Sequence, residues 1–195
     1  MPAEADAEPI PSIRTPRLEL VSMSIPFMHA LVADDLEAAS REIGAAVPDG
    51  MSEDLVDFLR YRLTQLAVDP SILEWLGRAM VLNDETGARC VIGTIGFHGA
   101  PDAQGRVEVG YRVEPGFRRQ GYAREAVRAM FDWAATTHGI RRFIASVSPT
   151  NAASLGLIAE FGFSQTGSQM DEIDGLELVF EADWPPPAGL QVGVD

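Results

Sequence analysis

Val107-Glu108-Val109-Gly110-Tyr111-Arg112-Val113-Glu114-Pro115-Gly116-Phe117-Arg118-Arg119-Gln120-Gly121-Tyr122-Ala123 is the stretch that decides how this chain is read. A strand-like run, Arg106–Val113, ends at Pro115-Gly116. A short loop rich in Arg and Gly follows and opens directly into a helical pattern. The first amides of a helix have no acceptor within it, and the helix dipole adds positive potential there. Gly121 has no side chain to hold a ligand away from the backbone, and Ala123 keeps the first turn open. The layout is a backbone cradle for an anion. It is not a GxxxxGK[ST] loop, and no GxGxxG follows a strand.

Outward from that stretch, apolar spacing sets the other elements. Residues 17–23 read as a first strand, and Pro26 onward, with Phe27, Ala30, Leu31 and Leu36, as a helix. Leu55, Val56, Leu59, Leu63 and Leu66 have helical spacing over 52–67, with Ser52 as its expected N-cap. Ala79–Leu82 and Arg89–Phe97 flank a turn-forming composition at residues 83–87. Gly121–Thr137 places Ala123, Ala126, Val127, Met130, Phe131 and Ala134 on one helical face, and Gly139 stops it. A strand at Arg142–Val147 and a short helix at Asn151–Glu160 follow. Strands near Gly162–Gln169 and Leu176–Glu181 close the pattern around a turn at 171–175. Alternating strands and helices that end in a hairpin predict a mixed α/β sheet.

Composition narrows the function classes. The 195 residues suit one domain, with residues 1–12 loose, a domain over 13–183 and a loose tail over 184–195. The single cysteine, Cys90, excludes an internal disulfide and fits a reducing cytoplasm. No basic-then-apolar leader and no long apolar run are present, so neither export nor membrane association is expected. The net charge is −14, and every basic side chain is Arg. Such acidity argues against nucleic acid as a partner. The charge is uneven: residues 101–145 hold eight Arg against five acids, and the remainder seven against twenty-four. The locally positive region is thus the one with the anion loop, which suits an anionic ligand there and a cationic one elsewhere. Acidity that merely aids solubility is the plainer reading of the second zone.

Arg118-Arg119-Gln120-Gly121-Tyr122-Ala123 resembles the (Q/R)xxGx(G/A) signature of the GNAT superfamily, the acyl-CoA-dependent N-acyltransferases. Asn151-Ala152-Ala153-Ser154, with Glu160-Phe161-Gly162-Phe163 after it, resembles the family's second block. Ile13-Arg14-Thr15-Pro16-Arg17-Leu18-Glu19-Leu20 resembles the start of the branch of ribosomal-protein N-terminal acetyltransferases. The resemblance spans about residues 13–181. It implies the GNAT fold, α/β (α+β), with one mixed, largely antiparallel sheet of about seven strands splayed in the middle and flanked by helices. It also implies acetyl-CoA as cosubstrate and no metal. The acceptor is a primary amine, on a peptide N-terminus or a small molecule, attacked directly in a ternary complex. A homodimer is compatible with this. A non-catalytic acyl-CoA-binding or interaction module would keep the same loop and need no base.

The resemblance assigns roles residue by residue. Amides from Arg119 through Gln120, Gly121 and Tyr122 to Ala123 would bind the CoA pyrophosphate, with Arg118 and Arg119 adding charge. The strand residues Tyr111, Arg112 and Val113 would line the cofactor, and the Val113 amide would hold the thioester carbonyl as charge develops. Amine attack needs a free lone pair, so a base must take a proton, directly or through water. Glu108 is placed for that; alternatively it pairs with Arg106 or Arg112. Asn151 is an N-cap, a contact for the pantetheine arm, or both. Many relatives carry a tyrosine where this chain has Ile158. Without it, Ser154 approaches the sulfur with a water, the thiolate leaves without a dedicated acid, or activity is weak. His98 either lines the acceptor cleft or is structural. His29, His98 and His138 are too scattered for a metal site.

Overall fold

The computed structural model describes residues 10–83, 86–171 and 175–186. The strands are β1 Ile13–Arg14, β2 Leu18–Ser22, β3 Arg78–Asn83, β4 Arg89–Phe97, β5 Arg106–Val113, β6 Arg142–Val147, β7 Ser164–Asp171 and β8 Gly175–Asp183. The helices are α1 Ile25–Val32, α2 Leu36–Ile43, α3 Met51–Val68, α4 Tyr122–His138 and α5 Ala152–Glu160. The strand order is β1-β2-β3-β4-β5-β6-β8-β7. β5 and β6 run parallel; β1/β2, β2/β3, β4/β5, β6/β8 and β7/β8 are antiparallel. The fold is the mixed, mostly antiparallel α/β class expected. The eighth strand is the two-residue β1, too short to leave a periodicity.

The chain divides into two compact units, one up to Ile92 and one from Gly93. In the first, Met23, Phe27, Met28 and Leu31 of the α1 region pack with Leu55, Leu59 and Leu66 of α3. α3 begins under Gly50, whose φ of 81° makes it the N-cap. Ser52 therefore lies inside the helix rather than capping it, because a left-handed glycine has already turned the chain. Cys90 is half-buried, not enclosed. Arg78 is buried, and its Nη1 donates 2.9 Å to the Pro11 carbonyl. Ser12 donates 2.6 Å to Glu19. Pro11 and Ser12 are thus fixed, although they fall in a stretch expected to be loose. Residues 1–9 and 84–85 lie outside the described residues, and so does the centre of the 171–175 turn.

The second unit is built on aromatic rings. The Phe131 ring stacks on Phe143 with centroids 4.0 Å apart and meets Phe161 and Trp184 edge-on at 5.7 Å each. Ala126, Val127, Met130, Phe131 and Ala134 form the buried face of α4, as their spacing predicts, and Gly139 caps the helix with φ 71°. Trp184 corrects the expected start of the tail. Its ring is buried, its amide donates 2.8 Å to the Arg141 carbonyl, and its Nε1 donates 2.7 Å to Asp132. A run of three prolines after it reads as tail by composition, but burial of the indole extends the ordered unit past 183.

Candidate active site

The site starts with two strands that part. β5 pairs with β6 at Arg106↔Arg142, Val107↔Phe143 and Glu108↔Ile144. Beyond that point, β5 stays with β4, from Val109↔Phe97 to Val113↔Gly93. β6 meanwhile stays with β8, from Ala145↔Phe180 to Val147↔Leu178. A gap therefore opens between the second half of β5 and the end of β6. Its polarity follows from one hydrogen bond. The His98 amide donates 2.8 Å to the Glu108 carbonyl. Backbone groups alternate sides along a strand, so those of Glu108, Gly110 and Arg112 face β4. Those of Val109, Tyr111 and Val113 face the gap, and the Val113 carbonyl accepts a 2.8 Å bond from Arg118 Nε. The Val113 amide thus points into the gap.

The anion loop lies just beyond Val113. A 3-10 turn at Pro115–Phe117 leads into Arg118, and Arg119 holds φ 62°. A non-glycine residue in the left-handed region is uncommon, and such strain gathers at ligand-binding turns. Gly121, with φ 82°, is the N-cap of α4 and provides no side-chain cap bond. The first-turn amides, through Tyr122 and Ala123, are the ones a ligand anion would meet. The Arg118 side chain ties the loop to Val113, and Gln120 Nε2 donates 3.3 Å to the Gly116 carbonyl. Both brace the loop. Arg124, in the first turn of α4, forms a bidentate pair with Glu160 at the end of α5, at 2.6 and 2.9 Å. That pair fixes one helix start against the end of the next.

α5 presents the third group. Asn151 is its N-cap, accepting 3.1 Å from the Ser154 amide. Ile158 is buried, as apolar packing requires. Sequence reasoning missed what Ser154 meets. The buried Tyr111 hydroxyl has the Ser154 side chain near it. Burial raises the Tyr111 pKa, with Ser154 pulling the other way. Tyr111 shares the face of the buried Val107 and Val109.

Glu108, Gly110 and Arg112 occupy the opposite face. Glu108 is half-buried with His98 Nδ1 3.6 Å from its Oε1. Burial pushes its carboxyl up, but His98 and the Ser146 hydroxyl outweigh this and hold it below its ordinary value; Asp171 opposes them weakly. Arg106 is engaged by Asp102 at 2.8 Å and Glu181 at 2.9 Å, and Arg112 lies 3.9 Å from Glu114. The alternative arginine partners of Glu108 thus have other carboxylates beside them. The signal that could have found His98 is register. Asp102 and Gly105 make a tight turn, in which the Asp102 side chain accepts from the amides of Gln104 and Arg106. The ladder Phe97↔Val109, continued by one residue, sets position 98 opposite 108.

Among the described residues no group of His, Cys, Asp and Glu could hold a metal ion, and no helix is long and apolar enough to cross a membrane. Residues 31–164 match the family model of the acetyltransferase (GNAT) domain. YjdG of Bacillus subtilis, named as an N-acetyltransferase, is 25% identical over 154 residues, 77% of this chain and 88% of that one. The fold is similar to a ribosomal-protein-S5-alanine acetyltransferase from Vibrio fischeri, with TM-score 0.57, 18% identity, and coverage of 89% of this chain and 96% of that one. It is also similar to the microcin C7 self-immunity acetyltransferase MccE, solved with acetyl-CoA and AMP, with TM-score 0.58, 15% identity, and coverage of 86% and 93%. Parted strands, an anion loop opening a helix and a matching family model make this chain an acetyltransferase of the GNAT family.

Proposed function

We propose that the chain transfers the acetyl group of acetyl-CoA to a primary amine by direct attack in a ternary complex, in a reducing cytoplasm. The observation that carries this reading is the gap between β5 and β6, with the Val113 amide directed into it and the α4 loop at its end. The residues present fit acetyl-CoA. First-turn amides from Arg119 to Ala123 would meet the pyrophosphate, Arg118 and Arg119 would add positive charge, and Gly121 leaves the approach open. Tyr111, Arg112, Val113, Asn151 and Ser154 line the path of the pantetheine arm.

The acceptor comes from the face of Glu108, whose carboxylate serves the deprotonation of the arriving ammonium. The Val113 amide stabilises negative charge on the carbonyl oxygen as the amine adds. On the other face, the Ser154 hydroxyl, backed by that of Tyr111, assists the thiolate as it leaves. It stands in for the tyrosine that Ile158 replaces. An acidic surface outside residues 101–145 favours cationic acceptors, and both a peptide N-terminus and a small amine meet that description.

A thiol-release assay with acetyl-CoA against N-terminal peptides and small amines tests the proposal. Thiol release that depends on an acceptor is expected. Acetyl-CoA binding without thiol release from any acceptor would instead support a binding module, and failure to bind CoA would sink both readings.

A further inference from the structure

We propose that His98 takes the proton from the acceptor amine and that Glu108 positions its imidazole, the two acting as a carboxylate–imidazole pair beside the gap. This rests on the acetyltransferase reading above and names the atom that receives the proton.

The geometry carries it. The β4/β5 register sets His98 directly opposite Glu108, locked by the 2.8 Å bond from the His98 amide to the Glu108 carbonyl. Nδ1 stands 3.6 Å from Glu108 Oε1, an ion-pair distance slightly longer than a hydrogen bond. Such contacts tighten when substrate arrives. The opposite nitrogen is placed by Gly110. A Cβ at Gly110 would lie 2.7 Å from His98 Nε2, so the ring rests on the bare backbone there. Gly110 is two residues beyond Glu108, the last β5 residue paired with β6. Nε2 therefore lies over β5 at Gly110, on the face that carries Glu108.

Exposure separates the two roles. The His98 side chain is 51% exposed and the Glu108 side chain 25%. Substrate reaches the imidazole first. The carboxylate faces inward, toward Ser146 of β6 and with Asp171 of β7 nearby. A carboxylate held ionised in that way is a weak base near neutral pH, but it fixes the tautomer of an adjacent imidazole and stabilises the imidazolium. Of the charged groups among the described residues, Asp171 also bears on the Glu108 carboxyl. Ser146 also accepts from Gln169, which reaches Glu177.

The protons balance. The arriving ammonium gives one proton to Nε2, its lone pair forms the N–C bond, and the C–S bond breaks with its electron pair on sulfur. The nitrogen loses a second proton as the adduct collapses. The thiolate takes up one, and one leaves to solvent.

The test compares the parent with His98→Gln, Glu108→Gln and Glu108→Asp, using one acceptor across pH, with acetyl-CoA affinity from calorimetry. His98→Gln should lower kcat by roughly 100-fold or more, with acetyl-CoA affinity within about twofold, and remove the enzyme's acid limb from the profile. Glu108→Gln should lower kcat less, since the imidazole keeps its place on β4 and loses only the carboxylate that orients it. Glu108→Asp should recover part of the loss. A second readout is independent of turnover. The chain has three histidines, so the His98 ring signal in NMR is assigned by its loss in His98→Gln. That signal should change position in Glu108→Gln, as the carboxylate beside the ring is neutralised. The proposal is overturned if His98→Gln keeps rate and limb while Glu108→Gln loses both, which makes Glu108 the base. It is equally overturned if the ring signal does not move. If the parent binds acetyl-CoA and no acceptor releases thiol, the acetyltransferase reading itself has failed.

Discussion

Gly93 and Arg112 lie so close across β4 and β5 that a Cβ on Gly93 would stand 2.2 Å from the Arg112 carbonyl oxygen and 3.0 Å from the Val113 Cα. Gly93 is the register partner of Val113, whose amide faces the gap. The contact sits on rigid backbone, so a side chain can be admitted only if β5 moves. Gly93→Ala should therefore cost roughly 1–3 kcal/mol in urea unfolding, the usual penalty of overpacking. Acetyl-CoA affinity should fall along with stability, because the displaced residue is the one that carries the amide. Unchanged affinity by calorimetry would separate the Val113 amide from the cofactor site.

The hydroxyls of Tyr111 and Ser154 make the second prediction. The Tyr111 hydroxyl is buried near Ser154. Removing a buried hydroxyl with so little bonding costs little, so Tyr111→Phe should unfold within about 1 kcal/mol of the parent. If the pair assists the leaving thiolate, kcat should drop by about 10-fold or more. Ser154→Ala should match it, and the double variant should be no worse than either single one, since two members of one unit are not additive. Additive losses would mean that the two hydroxyls act separately.

How far the sequence reached depends on the range of the contact. The anion loop, α4 and the cap at Asn151 were legible because each is a local device: Gly121 and Gly139 both adopt positive φ, and the Asn151 side chain meets an amide three residues away. The gap was legible only as a family expectation, because the parting of β5 from β6 is a property of pairing across distant segments. His98 beside Glu108 and Tyr111 beside Ser154 are likewise contacts across elements. Alternation along β5 sets Glu108 and Tyr111 on opposite faces but does not name what stands opposite each. Trp184 was misjudged because the prolines after it dominate the local composition, whereas its partners Asp132 and Phe131 lie about fifty residues earlier.

Glu108 gives a prediction for stability against pH. Its carboxyl is held below the ordinary glutamate value of 4.5, with burial opposed and outweighed by His98 and Ser146. A carboxyl with a depressed folded pKa contributes stability that is present above the unfolded value and lost as pH falls through the folded one. The parent's advantage over Glu108→Gln in urea unfolding should thus shrink as pH falls below 4.5. An advantage that grows on acidification would mean that burial dominates and the carboxyl is pushed up instead.

Trp184 separates ring packing from hydrogen bonding. The indole is buried against Phe131 and Phe161, with the Arg128 guanidinium 5.7 Å from its ring, while Nε1 donates to Asp132. Trp184→Ala removes the whole ring and should cost about 3–5 kcal/mol, lowering the melting temperature by roughly 10 °C. Trp184→Phe keeps most of the apolar contact and loses only the N–H. Asp132 is exposed, so water replaces the lost donor and the cost should stay near 1 kcal/mol. Thermal melts of the two variants beside the parent decide the matter. If Trp184→Phe fell as far as Trp184→Ala, the Asp132 bond would be the anchor. If both matched the parent, the ring would not hold the second unit together.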